Sequence, residues 1–413
     1  MITVEDFIKE ARAFLDGNAA LRLEAEAFQW GIGPDDLPGS SQFSRAPDSP
    51  ETLQAKSWAA RRFDAGFGWI DGPAELGGRG LTCDHAKAYD QLEARYQLPD
   101  MGLLSIAVGF IAPTILTHGT PQIRHKFLPA MYRGDLIVCQ LFSEPNAGSD
   151  LAAARTLAIR DGAEWIINGQ KVWTSNAQCA DIGLAVTRTD REAPKHRGIT
   201  MFLVDMHSPG VEVRPLRQMN GGAGFNEVFL TDVRVPDAHR IGAINDGFNV
   251  IITTLGNERS LQMRSGSASA VSANFERLLA VAEHYADRND PLVRQQLAAI
   301  YTLEKLTEYM VRQMAAKIEN GEALGADAMI LKLLGATHHT DAVVGFLSDV
   351  LGPRLAADSG EWGTYSWSKY VLGVHGGRIG GGTDEIILNR LGETVLGLPK
   401  EPRPDQPIAA VTR

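Results

Sequence analysis

Glu164-Trp-Ile-Ile-Asn-Gly-Gln-Lys-Val-Trp-Thr-Ser-Asn176 lies at the centre of a part of the sequence that has a β pattern. Its β-branched and aromatic residues indicate a strand. Asn168-Gly169 predicts a hairpin turn, because both residues accept the positive φ of tight β-turns. Short runs rich in Val, Ile, Leu and Phe recur downstream, at 182–186, 200–204, 211–214 and 227–230. The segment 139–242 is therefore predicted to form a small β domain.

Both flanks of this segment have helical patterns. Thr3-Val-Glu-Asp-Phe7 has the composition of a capped first helical turn. Helices are predicted at 51–63, 83–96, 121–132, 248–288 (one helix or two joined), 291–320, 326–351 and 383–395. Long helices joined by short loops favour an antiparallel bundle. The predicted fold class is α+β multidomain, with an all-α N-terminal domain (1–138), a central β-barrel domain (139–242) and a C-terminal four-helix bundle (243–413).

Composition excludes several classes of protein. The net charge of -10 argues against a nucleic-acid binder. Three widely spaced cysteines form neither a disulfide framework nor a zinc pattern, and His338-His339 has no partner in a recognisable metal motif, so no metal is predicted. The chain starts with acidic residues where a secretory signal would be basic and apolar, and no apolar run approaches roughly 18 residues. We expect a cytoplasmic protein without a membrane partner.

Two motifs carry a resemblance to a known family. Gln140-Leu-Phe-Ser-Glu-Pro-Asn-Ala-Gly-Ser-Asp150 and Ile167-Asn-Gly-Gln-Lys-Val-Trp-Thr-Ser-Asn176 resemble the acyl-CoA dehydrogenases, as do 119–129, 246–248 and Gly382-Thr383. The resemblance covers essentially the whole chain and implies the acyl-CoA dehydrogenase fold, an FAD cofactor and a place in lipid β-oxidation. It implies oxidation of an acyl-CoA to a trans-2-enoyl-CoA, with electrons passing to an electron-transfer flavoprotein.

The same resemblance assigns cofactor contacts. Ser143 would bind the pyrimidine edge of the flavin, Trp173 would pack beside the ring, and Ser175 would donate toward N5. Ser149, next to Gly148, would meet a pyrophosphate or CoA phosphate oxygen, because glycine lets backbone amides approach an anion. The remaining predicted cofactor-binding residues are Phe142, Thr383 and Glu385. Taken alone, 143–149 would also suit a plain turn, and Trp173 a core aromatic residue.

The catalytic base departs from the commoner family pattern. Many members carry a glutamate immediately before a C-terminal Gly-Thr pair, where this chain has Gly381. A second branch places the glutamate on the long helix after the β domain, just before an arginine, and this chain has Glu258-Arg259 there. The resemblance therefore implies Glu258 as the base, Arg259 on the CoA side, and the Gly381 amide as a donor to the thioester carbonyl. The alternative is an exposed Glu–Arg pair on a helix surface.

Two cofactor elements of the family's homotetramers are missing. The place of Arg-x-x-Phe-Gly holds Asp287-Arg-Asn-Asp-Pro-Leu292, and that of Gln-x-x-Gly-Gly holds Asp349-Val-Leu-Gly-Pro353. This resembles bacterial heterotetrameric members, in which a partner chain supplies half of each flavin site and some of which act on steroid side-chain CoA esters. We expect a dimer or tetramer, with either a different homologous subunit or identical ones in which Arg288 and Arg354 compensate.

Two other functions remain open. A flavin oxidase or monooxygenase of the same superfamily would need no α-proton base, so the presence of Glu258 favours the dehydrogenase. A subunit that only completes a partner's FAD site would have lost Ser143, Trp173 and Glu258 together, yet all three are present. The sequence leaves the acyl group undetermined among fatty, branched and steroid side chains.

Overall fold

The computed structural model describes residues 2–22, 30–32, 37, 46–265, 273–287, 289–320, 322, 325, 329–356 and 361–400. The chain divides into two compact units. One comprises Met1–Ala27 and Ser41–Leu261, and the other Phe28–Ser40 and Gln262–Arg413. Helical N- and C-terminal parts and a central sheet confirm the predicted fold class. The predicted domain limits stay a prediction.

Three of the five N-terminal helices begin at a residue whose side chain caps them. The five helices are α1 (Val4–Asn18), α2 (Pro50–Asp64), α3 (Cys83–Glu93), α4 (Ala112–His118) and α5 (Pro121–Arg133), with a π-helical turn at Ala107–Ile111 directly before α4. The side chains of Thr3, Ser49 and Thr120 accept the N–H groups of Asp6, Thr52 and Ile123. These bonds satisfy backbone donors that a helix start leaves unpaired. The predicted capped turn at Thr3 is confirmed.

The central strands form one eight-stranded sheet in the order β6-β7-β3-β2-β4-β5-β8, with β1 parallel to β4. The strands are β1 (Val138–Leu141), β2 (Leu157–Asp161), β3 (Glu164–Ser175), β4 (Ile182–Arg188), β5 (Ile199–Asp205), β6 (Val211–Leu216), β7 (Phe225–Pro236) and β8 (Arg240–Ile241). Six strands contribute to one apolar cluster, with Leu141, Ala158, Ile167, Ala185, Phe202 and Val228 among its members.

Strand β4 is buried on both faces. Ala185 belongs to the cluster that the strands share, whereas Leu184 and Val186 pack in a second cluster with residues of α5 and of the first half of the helix that follows β8. This arrangement explains why residues 182–186 are continuously apolar instead of alternating. The second cluster ties the helical part of the first unit to the sheet.

The predicted hairpin turn at Asn168-Gly169 is wrong, because both residues lie inside β3. The turn lies at Gly162-Ala163, where β2 and β3 meet and Gly162 has φ 63°. The Asn168 side chain exchanges hydrogen bonds of 2.9 Å with Asp232 of β7. A Cβ on Gly169 would lie 2.4 Å from Thr156 Oγ1, and the β3–β7 register shifts here. Asn168-Gly169 therefore forms a β-bulge, at which the backbone of Thr156 approaches Gly169 closely.

The C-terminal helices are α6 (Gly247–Ser265), α7 (Phe275–Tyr285), α8 (Pro291–Glu319), α9 (Ile330–Lys332), α10 (Thr340–Leu351), α11 (Tyr365–Val374) and α12 (Asp384–Thr394). A π-helical segment, Leu333–His339, joins α9 to α10. Four helices share one apolar core, to which α7 contributes Val281, α8 Ile300, α10 Phe346 and α11 Trp367. A four-helix bundle is thus present as predicted, but its fourth helix is α11, which was not predicted, and not the helix predicted at 383–395.

The described residues include neither a candidate membrane span nor a candidate metal cluster. No helix in this part of the chain is long and apolar enough to cross a membrane. Nor do the described side chains include a group of three or more His, Cys, Asp or Glu that could hold a metal ion.

Candidate active site

A buried ion pair fixes the loop after β1 to strand β3. Lys171 Nζ lies 2.8 Å from Glu144 Oε1 and donates to the Phe142 carbonyl at 3.1 Å. Glu144 also accepts the backbone N–H groups of Arg155 at 2.7 Å and Thr156 at 2.9 Å. Burial alone raises the pKa of Glu144, but Lys171 and these N–H groups bring the pKa below its ordinary value. Burial lowers the pKa of Lys171 to about 8.

Ser143 lies inside this clamped loop. Its carbonyl accepts the N–H of Val172 at 2.9 Å, so Ser143 lies directly against the residue that precedes Trp173. The Ser143 side chain is half-buried, whereas that of Phe142 is buried in the core. The structure therefore brings Ser143 and Trp173 together, although 30 positions separate them in the sequence.

The Trp173 side chain is exposed, and its backbone is strained. Its side chain is 61% exposed, and its ring meets the edge of the Phe225 ring, at 6.0 Å between centroids. Its φ is 59°, within the register shift between Lys171 and Thr174. A bulky residue in this region is strained, and such strain collects at ligand sites. Trp173 is therefore no core aromatic residue, and it presents a flat apolar surface.

Ser175 ends β3, two residues beyond Trp173. It is half-buried and pairs with Phe225 of β7. The next residue, Asn176, has φ 58° and donates its N–H to the Gly224 carbonyl at 3.1 Å. These contacts fix the end of β3, two residues beyond the exposed Trp173.

Ser149 lies on an exposed loop, and the residues that follow it are held by hydrogen bonds and an ion pair. No heavy atom lies within 4 Å of the position a Cβ would take on Gly148, so the backbone beside Ser149 is open to approach. Arg188, buried below, donates to the Ala152 carbonyl at 2.6 Å and the Lys195 carbonyl at 3.1 Å. Lys195 in turn pairs with Asp150 at 2.8 Å. The loop therefore presents Ser149 next to an open backbone, which suits the approach of an anionic group.

Glu258 lies on α6 and faces strand β1. Its carboxylate is half-buried, and Gln140 Nε2 lies 3.5 Å from Oε2. Gln140 precedes Ser143 by three residues, so the carboxylate lies against the strand that leads into the clamped loop. Arg259, by contrast, is exposed. The two residues thus have different surroundings, unlike a pair that shares one solvated helix face.

Helix α6 is seated on the N-terminal helices by polar contacts. Thr254 and Asn257 lie 3.2 and 3.4 Å from Thr114 Oγ1. The π-helical turn at Ala107–Ile111 packs here, and a Cβ on Gly109 would lie 2.4 Å from Leu261. Gly109 therefore allows close approach of the helix segment that carries Glu258. This contact cannot be predicted from the sequence, because one glycine in an apolar run gives no signal of its partner.

The glycine-rich loop before α12 belongs to the second unit. Gly381 has φ 70° and Gly382 φ 96°, values that favour glycine. Thr383 accepts the Ile386 N–H at 3.3 Å and caps α12. The pKa of the exposed Glu385 carboxyl is lowered by its own backbone N–H and by the Thr383 side chain. Thr383 and Glu385 thus stabilise the start of α12, and their cofactor contacts stay a prediction.

The two segments that lack the family's cofactor elements make local bonds instead. Asp287 and Asp290 accept the backbone N–H groups of Asn289 at 2.9 Å and Leu292 at 2.8 Å, which shapes the start of α8. Arg288 lies outside the described residues. Asp349 accepts Gln296 Nε2 at 2.6 Å.

Arg354 is already engaged. It pairs with Glu361 at 3.2 Å and lies over the Tyr285 ring at 5.0 Å. This geometry does not favour Arg354 as a substitute phosphate ligand.

The order of helical, sheet and helical parts, with the two motifs at the ends of β1 and β3, is that of a multidomain flavin-dependent dehydrogenase. Three family models match: "Acyl-CoA dehydrogenase, N-terminal domain" over 46–135, "middle domain" over 139–233 and "C-terminal domain" over 245–396. Acyl-CoA dehydrogenase FadE34 of Mycobacterium tuberculosis is 40% identical over 326 residues, 78% of this chain but 44% of that protein. Acyl-CoA dehydrogenase IpdE1 of the same organism is 34% identical over 97% of this chain and 99% of that protein.

Solved structures of acyl-CoA dehydrogenases are also similar to this chain. A structure described as Tcur3481-Tcur3483 steroid ACAD has a TM-score of 0.73 at 26% identity, over 96% of this chain and 98% of that one. The ChsE4-ChsE5 complex from Mycobacterium tuberculosis has a TM-score of 0.67 at 25% identity, over 97% and 99%. The chain belongs to the acyl-CoA dehydrogenase family, whose members are flavoproteins. The predicted family, fold class and enzyme class, an oxidoreductase that dehydrogenates acyl-CoA, are confirmed.

Proposed function

We propose that this chain binds FAD and oxidises a bulky acyl-CoA to its trans-2-enoyl-CoA, with Glu258 as the base. The observation that carries the proposal is the exposed, strained Trp173 beside the clamped Ser143 loop. When bound, FAD supplies the acceptor for the β-hydrogen, which leaves as hydride. The chain supplies the surface for the ring, the base and the donor to the thioester carbonyl.

The residues present fit a flavin. An isoalloxazine ring needs a flat apolar surface and hydrogen-bond donors at its polar edge. The Trp173 indole offers the first, and the hydroxyls of Ser143 and Ser175 offer the second. The open backbone at Gly148-Ser149 suits a phosphate oxygen of FAD or CoA. The Lys171–Glu144 pair holds in place the loop that carries Ser143.

The proposed chemistry divides between two groups. Glu258 takes the α-proton, and its contact with Gln140 restricts the carboxylate to one side of α6. The N–H of Gly381 donates to the thioester carbonyl, which stabilises the negative charge that develops there as the proton leaves. We assign Arg259 to the CoA moiety, because it is exposed and cationic.

The adenine side of the cofactor site is proposed to come from a different homologous chain. Asp287, Asp349 and Arg354 are engaged in local bonds, and two of them are acidic where an anionic pyrophosphate would bind. Two structural neighbours are described by pairs of names, Tcur3481-Tcur3483 and the ChsE4-ChsE5 complex. A dimeric or tetrameric assembly, an electron-transfer flavoprotein as acceptor and a cytoplasmic location belong to this proposal.

The substrate class follows from the same comparison. The neighbour at TM-score 0.73 is described as a steroid ACAD. We extend a bulky, steroid-like acyl group to this chain because position 381 carries no side chain, whereas many family members have a glutamate there. A panel of straight-chain, branched and steroid side-chain CoA esters tests this choice by comparing kcat/KM among them.

The first test is the visible absorption spectrum of the purified chain, alone and then with acyl-CoA in the absence of oxygen. A yellow chain that bleaches with substrate supports the dehydrogenase and excludes the need for a partner. A colourless chain that binds FAD only with a second homologous chain supports the heteromer. Bound flavin that no acyl-CoA reduces, or oxygen consumption in step with turnover, contradicts the proposal and favours the oxidase or monooxygenase.

Glu258→Gln tests the base. It is isosteric and uncharged, so we expect binding to persist and bleaching to slow by about 10²–10⁴-fold. Glu276, which lies in the first turn of α7, provides the control substitution Glu276→Gln, which should leave the rate unchanged. Bleaching of Glu258→Gln at the unmodified rate would remove Glu258 from the mechanism.

A further inference from the structure

Lys332, the last residue of α9, reaches the glycine-rich loop before α12. Its Nζ donates to the Gly380 carbonyl at 2.5 Å and also to the Gly382 carbonyl. These two carbonyls flank Gly381 on either side. One ammonium group therefore holds the peptide unit that contains the Gly381 N–H and the peptide unit between Gly382 and Thr383.

Peptide geometry determines where the Gly381 N–H points. The Gly380 carbonyl and the Gly381 N–H belong to one trans peptide plane, since the described chain has no cis bond, and they point in opposite directions. The Gly381 N–H must therefore point away from Lys332. Gly381 is exposed, and no acceptor for this N–H lies among the described residues. The loop thus presents an available donor of fixed direction.

Further hydrogen bonds connect the glycine-rich loop to the helical segment that carries Lys332. Thr337, on the π-helical segment just after Lys332, donates to Asp384 at 2.9 Å. Arg378 donates to Asp384 at 2.9 Å and to Asp341 at 2.9 Å. Asp384 is buried at the start of α12. These bonds tie both ends of the glycine-rich loop to the helical segment that carries Lys332, so the position of its ammonium is fixed relative to Gly381.

We propose that Lys332 is a positioning residue, which aims the Gly381 N–H at the thioester carbonyl of the acyl-CoA. The inference rests on the proposed function, because it assigns a task within that reaction. Lys332 itself touches no reacting atom. A lysine that only stabilised the loop would affect the melting temperature without changing how strongly a bound carbonyl is polarised.

The test measures that polarisation directly. An acyl-CoA labelled with ¹³C at its thioester carbonyl is bound to flavin-loaded Glu258→Gln protein, with a partner chain if flavin uptake needs one. The infrared difference spectrum then gives the carbonyl stretch of unreacted substrate. Donation by the Gly381 N–H should lower this stretch relative to free thioester. Adding Lys332→Met, which has similar length and no donor, should return the band most of the way to the free value.

Three further variants separate positioning from loop stability. With Glu258 intact, Lys332→Met should lower kcat by about 10²-fold, in the range for loss of one such donor, with a much smaller change in KM. Lys332→Arg keeps a donor for both carbonyls and should recover most of the band shift. Thr337→Val loosens the same support but removes no donor to the glycine carbonyls, so it should change the band and kcat much less than Lys332→Met.

The outcomes are distinct. A carbonyl band that stays in place in Lys332→Met overturns the inference. A band that moves equally in Lys332→Met, Lys332→Arg and Thr337→Val also overturns it, because general loosening would then explain the change. Failure of the proposed function gives another result, in which the flavin-loaded unmodified protein leaves acyl-CoA unoxidised and its carbonyl band at the free value.

Discussion

Lys171 and Glu144 form a 2.8 Å ion pair in which the lysine side chain is 0% and the glutamate 9% exposed. Lys195 and Asp150 form a pair of equal length nearby, but both of those side chains are 54% exposed. The two pairs share their chemistry and distance, so they differ chiefly in burial. The buried pair costs desolvation that its bonds to Phe142 and the loop backbone must offset.

Lys171→Met should destabilise the fold by about 3–5 kcal/mol, because it leaves the Glu144 carboxylate buried without its cation. Urea unfolding of the purified chain measures this loss. Lys195→Met is the matched control and should cost less than about 1 kcal/mol, since exposed pairs contribute little. Equal losses in the two variants would mean that burial does not determine the strength of the Lys171–Glu144 pair.

The stability contributed by Glu144 should depend on pH. Its folded-state pKa lies below the ordinary 4.5, so the contribution is complete above 4.5 and is lost as pH falls through the folded value. Urea midpoints between about pH 5 and pH 2 should therefore fall more steeply for the unmodified chain than for Glu144→Gln. The difference in urea midpoint between the unmodified chain and Glu144→Gln should become smaller as the pH falls. A gap that widens toward low pH would contradict the direction of the pKa shift.

Trp173→Gly should separate stability from cofactor binding. Glycine accepts φ 59° without strain, so the substitution should change the unfolding free energy by no more than about 1 kcal/mol. Flavin retention should fall at least about tenfold, because the stacking surface is lost. Thermal melting measures the stability and flavin absorbance after dialysis measures the retention of flavin, both on the same preparation.

Trp165 on the same strand is the control for Trp173. It is buried in the sheet cluster and donates to Asp237 at 2.8 Å. Trp165→Ala should cost about 3–5 kcal/mol. If Trp173→Gly unfolds as readily as Trp165→Ala, then Trp173 contributes to the core and the site assignment fails.

Gly169→Ala should destabilise more than Gly162→Ala. The added Cβ at 169 meets the Thr156 backbone, with its Cα at 2.7 Å, and can be accommodated only by a strand shift that costs about 1–3 kcal/mol or more. Gly162 has open space around it, so its alanine carries only the left-handed backbone cost of about 1 kcal/mol. Chemical denaturation gives the free energy of unfolding of Gly169→Ala and of Gly162→Ala. The reverse order would argue for a turn at Asn168-Gly169.

Local features of the fold were predictable from the sequence. Thr3 caps α1 as its side chain and spacing indicate, and the apolar runs at 182–186 and 200–204 form the buried strands β4 and β5. Caps and periodicity depend on residues within one or two turns, so a linear sequence contains the information. The order of helices, sheet and helices and the family followed from such local motifs.

Contacts across long separations were not predictable. Asn168-Gly169 has the chemistry of a turn, and only Asp232, 64 positions away, shows that it forms a bulge instead. Glu144 and Lys171 lie inside the two family motifs, yet nothing in either motif shows that the lysine is buried. Lys332 lies 48 positions from Gly380, and helix periodicity alone would place it on a solvated face.

The chemical groups of this chain can be read from its linear sequence: a glutamate before an arginine on the helix after the sheet, and hydroxyls and a tryptophan in two spaced motifs. The tertiary structure decided how those groups are presented. Whether Trp173 is a core residue or an exposed surface depends on a φ of 59° that the paired strands impose. The direction of the Gly381 N–H depends on an ammonium group brought from another helix. Both are set by the free energy of packing distant segments together, which no local pattern contains.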